Sequence, residues 1–445
     1  MKAHHVLPKV IPSLAEGIKT VGGRALIVGG AVRDLVLGCE PKDWDIEVYH
    51  VDLDTIIAIS RNFGKVAEVG RAFGVLQLRA FDGTELDIAL PRTEQKTGTG
   101  HKGFFVRTAS DLSVEEASSR RDFTANAMSL DPLTGELIDP FGGREDMARG
   151  VLRHVGPQFA EDPLRVLRGA QFCARFNWRM APETITLCRD LFHEAHTLPK
   201  ERIWVEWKKL LLAPYPARGM EVLRETGWVH LWPTLADLIG TGQSPEHHPE
   251  GDVWDHTLLG MERIKSDLVL RLAILLHDVG KPSTTQEDFT AHGHAEAGVE
   301  PARRFLEAIG APRDIRERVL PLVREHMFRG PGGDLEPTEK SVRRLARRLA
   351  PATVRELAEV IRADRLASGS KREGELPGHL LRVAERIRIA DQAPKPIVMG
   401  RHLMAMGVAP GPDMGKILRR LFELQLDGVF STVDEALSLV RGGRI

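Results

Sequence analysis

Residues 25–47 read ALIVGGAVRDLVLGCEPKDWDIE, and the order of features within them decides the class of fold. The apolar run ALIV ends in Gly29-Gly30, a buried strand running into a turn tight enough to sit beside a bulky anion. Ala31 to Gly38 then suits a short helix. Its first amides, with Gly30 at the turn and Arg33 one turn in, can receive phosphate oxygens. From Asp43 to Tyr49 polar and apolar residues alternate. A strand here puts Asp43, Asp45 and Glu47 on one face and Trp44, Ile46 and Val48 on the other. Two carboxylates on one strand face beside a phosphate-binding turn are what a two-magnesium nucleotidyl-transfer site requires, the cations neutralising a triphosphate and activating a hydroxyl. Asp-x-Asp alone reads equally as a solvated strand edge. The glycine turn and the Arg33-Asp34 pair make the metal reading far more specific.

GG-x-V-R-D followed by D-x-D resembles the class II tRNA nucleotidyltransferases, the CCA-adding enzymes of the polymerase-β superfamily, which share this head with bacterial poly(A) polymerases. The resemblance implies an α+β chain: a polymerase-β-like head with a mixed sheet, then an all-α neck, an HD domain and a helical tail. It also implies magnesium as cofactor, CTP and ATP as substrates, and tRNA as partner.

Bulk properties fit this without pointing to it. The 445 residues are too many for one ordinary core. With 28% charged residues and a net charge of −1, no global basic field marks a nucleic-acid partner, so any RNA contact must be local. Cys39, Cys173 and Cys188 are too few and too scattered for a disulfide framework, which suits a reducing cytoplasm. No apolar run approaches a membrane span.

Further along the head, GVLQLRAF (74–81) and TELDIAL (84–90) are strand-like and joined at Asp82-Gly83, a strong hairpin signal. Asp87 in the second run either adds a third carboxylate to Asp43 and Asp45 or lies on the surface. Residues 92–119 are polar and glycine-containing, and they read as a long functional loop. The family has a flexible loop here that helps terminal A addition. RRDFTANA (120–127) opens a short helix with Arg121, Asp122 and Asn126 on roughly one face, suited to a ribose and a triphosphate. It matches the family's second motif. GELIDPFGG (135–143) resembles the third, and its turn residues are structural.

EDPLRVLR (161–168) starts a helix with Pro163 in the first turn and Asp162, Arg165 and Arg168 on one polar stripe. Its plainest reading is a capped helix with Asp162 bridging Arg165. Donor and acceptor counting suggests more. A carboxylate only accepts and a guanidinium only donates, while cytosine and adenine each present an amino donor beside a ring-nitrogen acceptor. Asp162 and Arg165 can satisfy those two bases and would leave groups unpaired against guanine and uracil. ED-P-L-R matches the family's amino-acid template motif. Arg202 and Glu206 on the helical stretch 198–212 resemble its fifth motif, a structural brace.

After the polar Pro/Gly stretch 241–252 a different chemistry begins. His256, His277-Asp278 at the close of an apolar helix, and Asp364 offer the imidazole and carboxylate ligands of a metal hydrolase, since a carboxylate buried without a cation is costly. Their order resembles the HD phosphohydrolase superfamily. His294 and His326 match extra histidines able to bind a second metal or phosphate. The resemblance implies a second divalent metal, nickel or magnesium, and activity on RNA-type phosphates. The seven arginines of 339–365 are the best phosphate-backbone patch outside the head. The tail after Ala393-Pro394 reads as a small helical module. The expected divisions are head 1–145, neck 146–240, HD domain 241–375 and tail 376–445. Addition of only A or only CC, poly(A) synthesis, and a phosphohydrolase whose head merely binds RNA are the rival readings.

Overall fold

The structure, a computed structural model, describes residues 7–70, 74–96, 104–108, 110–329, 336–368 and 375–443. It divides into two compact units, residues 1–206 with 218–228, and residues 207–217 with 229–445.

In the first unit a seven-stranded mixed sheet is built around β1 (Arg24–Val28) and β2 (Trp44–Tyr49). With β3 (Gly64–Gly70), β4 (Val75–Ala80), β5 (Glu85–Ala89), β8 (Ser129–Leu130) and β9 (Leu137–Ile138) the spatial order is β3-β4-β5-β2-β1-β8-β9. β2 runs parallel to β5, and the other neighbours are antiparallel. Every β1 residue from Ala25 to Val28 is buried, because helix Val10–Thr20 lays Ile11, Leu14 and Ile18 against the sheet. The turn of β4 into β5 closes as the Asp-Gly dipeptide predicts: Gly83 takes φ 89° and Asp82 Oδ1 accepts from the Thr84 amide at 2.9 Å.

Two expectations need correction. Residues 92–119 are not a continuous loop: β6 (Arg92–Lys96) pairs antiparallel with β7 (Phe104–Thr108), and Val114–Ser118 is a helix held by a Ser113/Glu116 capping box. Residues 97–103 and 109 lie outside the described residues. Nor is 120–127 a regular helix. Phe123 is extended and only Thr124–Asn126 turns, as a 3₁₀ segment. Gly143 packs directly on this turn, since a Cβ there would lie 2.2 Å from the Thr124 carbonyl oxygen. The unit continues through helices Leu164–Phe176 and Pro182–Asp190.

The second unit is helical. Its centre is Leu268–Leu276, LVLRLAILL, buried from Val269 onward because Val253–Arg263, Arg313–Glu325 and Val354–Ala367 surround it. Helices Gly400–Met404, Pro412–Leu426 and Val433–Arg441 enclose a separate small core of Val398, Leu403, Met414, Leu421, Phe430 and Ala436, the module expected of the tail. The segment 339–365 is not an open basic patch, for six of its seven arginines stand in ion pairs. Arg343 pairs with Glu339, Arg344 with Asp427, Arg347 with Glu423, Arg348 with Glu325, Arg355 with Asp391 and Arg362 with Glu359. Among the described residues no helix is long and apolar enough to cross a membrane.

Candidate active sites

In the head, β1 delivers the chain to Gly29, whose φ of 70° and ψ of −133° turn it into helix Gly30–Val36. Only glycine fits. A Cβ at Gly29 would lie 3.0 Å from Arg121 Nη1 and 3.5 Å from Asp45 Oδ2. The turn therefore sits directly against a carboxylate and a guanidinium. β2 presents Asp45, and the parallel register sets it opposite Asp87 on β5. Asp43 and Asp87 are exposed. Burial pushes the Asp45 carboxyl above its ordinary range, Arg121 opposes this, and the charges of Asp87, Asp43 and Glu47 add to the rise. This concentration of negative charge is relieved by a cation, and oxygen ligands on strands suit a hard one.

Arg33 is committed elsewhere than its helical position suggested. It is buried, with Nε and Nη2 donating to Asp34 Oδ1 at 2.9 and 2.7 Å, and Nη1 to Asn126 Oδ1 at 2.7 Å. Phe172 and Phe176 lie 5.2 and 5.0 Å from its guanidinium carbon. Asn126 Nδ2 donates to Asp122 Oδ1 at 2.8 Å, and Arg168 donates twice to Asp122 Oδ2, at 2.9 and 2.6 Å. Burial works against the Asp122 charge, but Arg168 and Asn126 outweigh it and hold the carboxyl below its usual range. Arg175 approaches Asp34 Oδ2 at 3.4 Å.

Asp162 and Arg165 do not bridge each other. Asp162 is extended just before its helix, and its Oδ2 accepts from Arg202 Nη2 at 2.7 Å. Arg165 Nη1 and Nη2 donate to the carbonyls of Gln158 and Arg120 at 2.7 and 2.8 Å. Those two bonds fix the guanidinium plane and leave three of its five N–H groups for other acceptors. Arg202 was read as a brace, yet it lines the same cavity. Its signal was available only as a partner for Asp162 forty residues away. That cavity, about 430 Å³, is lined by Gly29, Gly30, Arg121, Asp162, Arg165 and Arg202 among others.

The second site draws its side chains from several helices of the second unit. His256 lies inside its helix, His277 and His326 cap theirs, His294 opens a short one, and Asp364 faces them from Val354–Ala367. Each Nδ1 is anchored at 2.7 Å: His277 on the Ile274 carbonyl, His294 on Ala291, His326 on Val323, and His256 on Glu250 Oε1. Protons drawn to Nδ1 turn the Nε2 lone pairs inward. His256 and His277 Nε2 meet at 3.3 Å and His294 and His326 Nε2 at 3.1 Å. Asp278 lies between the pairs, Oδ2 at 3.2 Å from His277 and Oδ1 at 3.3 Å from His294, and Asp364 Oδ1 is 2.9 Å from His256.

Facing lone pairs repel unless a proton or a metal lies between them, so this donor set fits divalent ions. Among the described residues the tight groups of potential metal ligands are His248/Glu250/His256, His256/His277/Asp278 and Asp278/His294/His326. Asp43, Asp45 and Asp87 do not form one. Burial disfavours a charged His277, but Asp278 beside it prevails and raises its pKa to about 10. His326 is pushed down to about 4 by burial and by the His277 charge. Lys281 Nζ adds a cation 2.6 Å from Asp278 Oδ2. Glu250, His248 and Lys281 escaped sequence reasoning; the first two sit in the stretch that read as a boundary.

Comparison with known proteins finds both domains. Residues 25–153 match the poly(A) polymerase head domain, 177–239 the "Probable RNA and SrmB- binding site of polymerase A", and 253–369 the HD domain. The multifunctional CCA protein of Neisseria meningitidis serogroup A is 41% identical over 309 residues, 68% of this chain and 72% of that protein. That of Nitrosococcus oceani is 39% identical over 318 residues, 70% and 76% of the two chains. The Bacillus stearothermophilus CCA-adding enzyme with CTP superposes at a TM-score of 0.69 with 24% identity, over 97% of this chain and 96% of that one. A Thermotoga maritima CCA-adding enzyme with tRNA gives 0.59 at 18% identity, covering 100% and 97%; these two likenesses speak to fold alone. With relatives about two residues in five identical over more than two thirds of its length, the chain belongs to the multifunctional CCA protein family.

Proposed function

We propose that this chain is a tRNA nucleotidyltransferase that adds CCA to tRNA 3′ ends from CTP and ATP without a nucleic-acid template, and that its HD centre is a metal-dependent phosphohydrolase. One observation carries the first part. A single cavity of about 430 Å³ joins the Gly29-Gly30 turn and Arg121 to the Asp162, Arg165 and Arg202 cluster, a triphosphate end and a base end within one site.

In this reading Asp43, Asp45 and Asp87 hold magnesium, which supplies charge neutralisation and activates the 3′ hydroxyl. Gly30, Arg121 and the network of Arg33, Asp122, Asn126 and Arg168 seat the ribose and phosphates. Asp162 accepts from the amino group of C or A, and Arg165 donates to the ring nitrogen. Arg202 keeps the Asp162 carboxylate in place. At the other centre His256, His277, Asp278 and Asp364 hold a divalent metal, nickel or magnesium, with His294 and His326 beside it for a second metal or a phosphate. The functional divisions remain 1–145, 146–240, 241–375 and 376–445.

The test is incubation with tRNA ending at the discriminator base, at −C and at −CC, given CTP and ATP separately and together. Completion of all three to CCA supports the full activity. Extension confined to C or to A would show a partial enzyme, and unlimited A addition would show a poly(A) polymerase.

A further inference from the structure

The HD centre opens into a cavity of about 830 Å³, far more room than a phosphate needs. Asp278, His294, His326 and Asp364 line it, and so does Phe289. Phe289 is unusual twice over. It remains 46% exposed, and its φ of 64° lies in the left-handed region that a bulky side chain rarely occupies. The surrounding turn holds it there. The Phe289 amide donates to the Gln286 carbonyl at 3.0 Å, the Gln286 amide to the Thr290 carbonyl at 2.9 Å, and Asp288 Oδ1 accepts from both the amide and the hydroxyl of Thr290.

Gly242 makes room for the ring, since a Cβ there would come within 2.9 Å of it. Gln243, next in sequence and buried, accepts from Lys281 Nζ at 2.6 Å, and Lys281 reaches Asp278. The segment that frees the aromatic face therefore also sets a cation beside the metal ligands.

We propose that Phe289 is the base platform of the phosphohydrolase, its ring stacking on the base of a nucleoside phosphate whose phosphate lies at the metal ligands. The inference rests on the phosphohydrolase reading above. An aromatic face and a cationic, metal-binding centre in one cavity match the two ends of a nucleotide, and base stacking tolerates any base because each has a π-face.

The experiment compares 2′,3′-cyclic AMP with ribose 2′,3′-cyclic phosphate, which lacks the base, on the full chain loaded with nickel. Phe289→Ala should raise KM for cyclic AMP about five- to a hundredfold with little change in kcat, and leave the base-free substrate unaffected. Phe289→Gly, which takes the left-handed conformation freely, should behave alike, and Phe289→Trp should retain the wild-type KM. Equal loss on both substrates, or no loss on either, overturns the proposal. If the wild type hydrolyses neither, the phosphohydrolase reading fails, and binding decides the subsite. With CTP saturating the head, 3′-AMP should bind more tightly than ribose phosphate, and Phe289→Ala should remove that advantage. Equal binding of the two by the wild type overturns the platform.

Discussion

The two metal-binding regions are built on opposite plans. In the head, Asp45 and Asp87 stand in register on neighbouring strands, with Asp43 beyond them, and they do not converge. In the second unit imidazoles and carboxylates already lie within 3–4 Å of one another, each ring locked by a bond to its far nitrogen. Carboxylates on the open face of two central strands keep access to water, as a site that takes its cation together with a triphosphate would require. Buried imidazoles with converging lone pairs have lost that water during folding, and a metal would replace it. The contrast is between a site completed by its substrate and a site completed by its cofactor.

The sharpest way to break the comparison is to disable each site alone. Asp45→Ala should lower nucleotide addition by about 10²- to 10³-fold or more, the scale for losing an electrostatic contact to the transition state, while phosphohydrolase activity persists. His277→Ala should do the converse. An Asp45→Ala protein that still extended tRNA near the parent rate would remove the head assignment. Arg165→Ala should cut incorporation of both C and A by about ten- to a hundredfold and relax rejection of UTP and GTP, read with each triphosphate separately. Unchanged selectivity would leave Arg165 as a clamp on the Gln158 and Arg120 carbonyls and nothing more.

Glu250→Ala probes the preassembled site through the carboxylate that anchors His256 Nδ1. Metal affinity, measured by titration calorimetry, should weaken by about 10- to 100-fold, with nucleotide addition unchanged. Dialysis against chelator should abolish phosphohydrolase activity, and a transition metal should restore it better than magnesium. The smallest effect is on pH. His277 without metal is raised from 6.5 to about 10. Its contribution to the stability of the metal-free fold is thus complete below about pH 6.5 and fades as pH rises through 10. Metal must displace that proton, so affinity should climb with pH across the same window. A flat profile would mean that the proton is not there.

Much of this was legible in the chain because the signals were local. Alternation over 43–49, the Gly29-Gly30 turn and the Asp82-Gly83 hairpin each depend on neighbours in sequence. What could not be read depends on partners far away. Residues 92–96 are polar, 104–108 carry no alternation, and both become strands only by pairing with each other. Asp162 chooses Arg202 over Arg165, three residues away, because a helix beginning at Lys200 presents it. Glu250 lies among prolines and glycines, where composition says boundary and only the approach of His256 says otherwise.

The buried contacts of the head also close on themselves. From Arg175 the path runs to Asp34, Arg33, Asn126, Asp122 and Arg168, and so returns to helix Leu164–Phe176, from which it started. A ring of this kind has no loose end at which a substitution can be absorbed. Opening it anywhere strands a charge: three guanidiniums face two carboxylates, and each removal leaves its former neighbour unmet. Once it is open, a second break costs less than it would alone, so single changes should be severe and paired ones sub-additive. Asp34 and Asn126, ninety-two positions apart, are tied to one fate by the guanidinium between them.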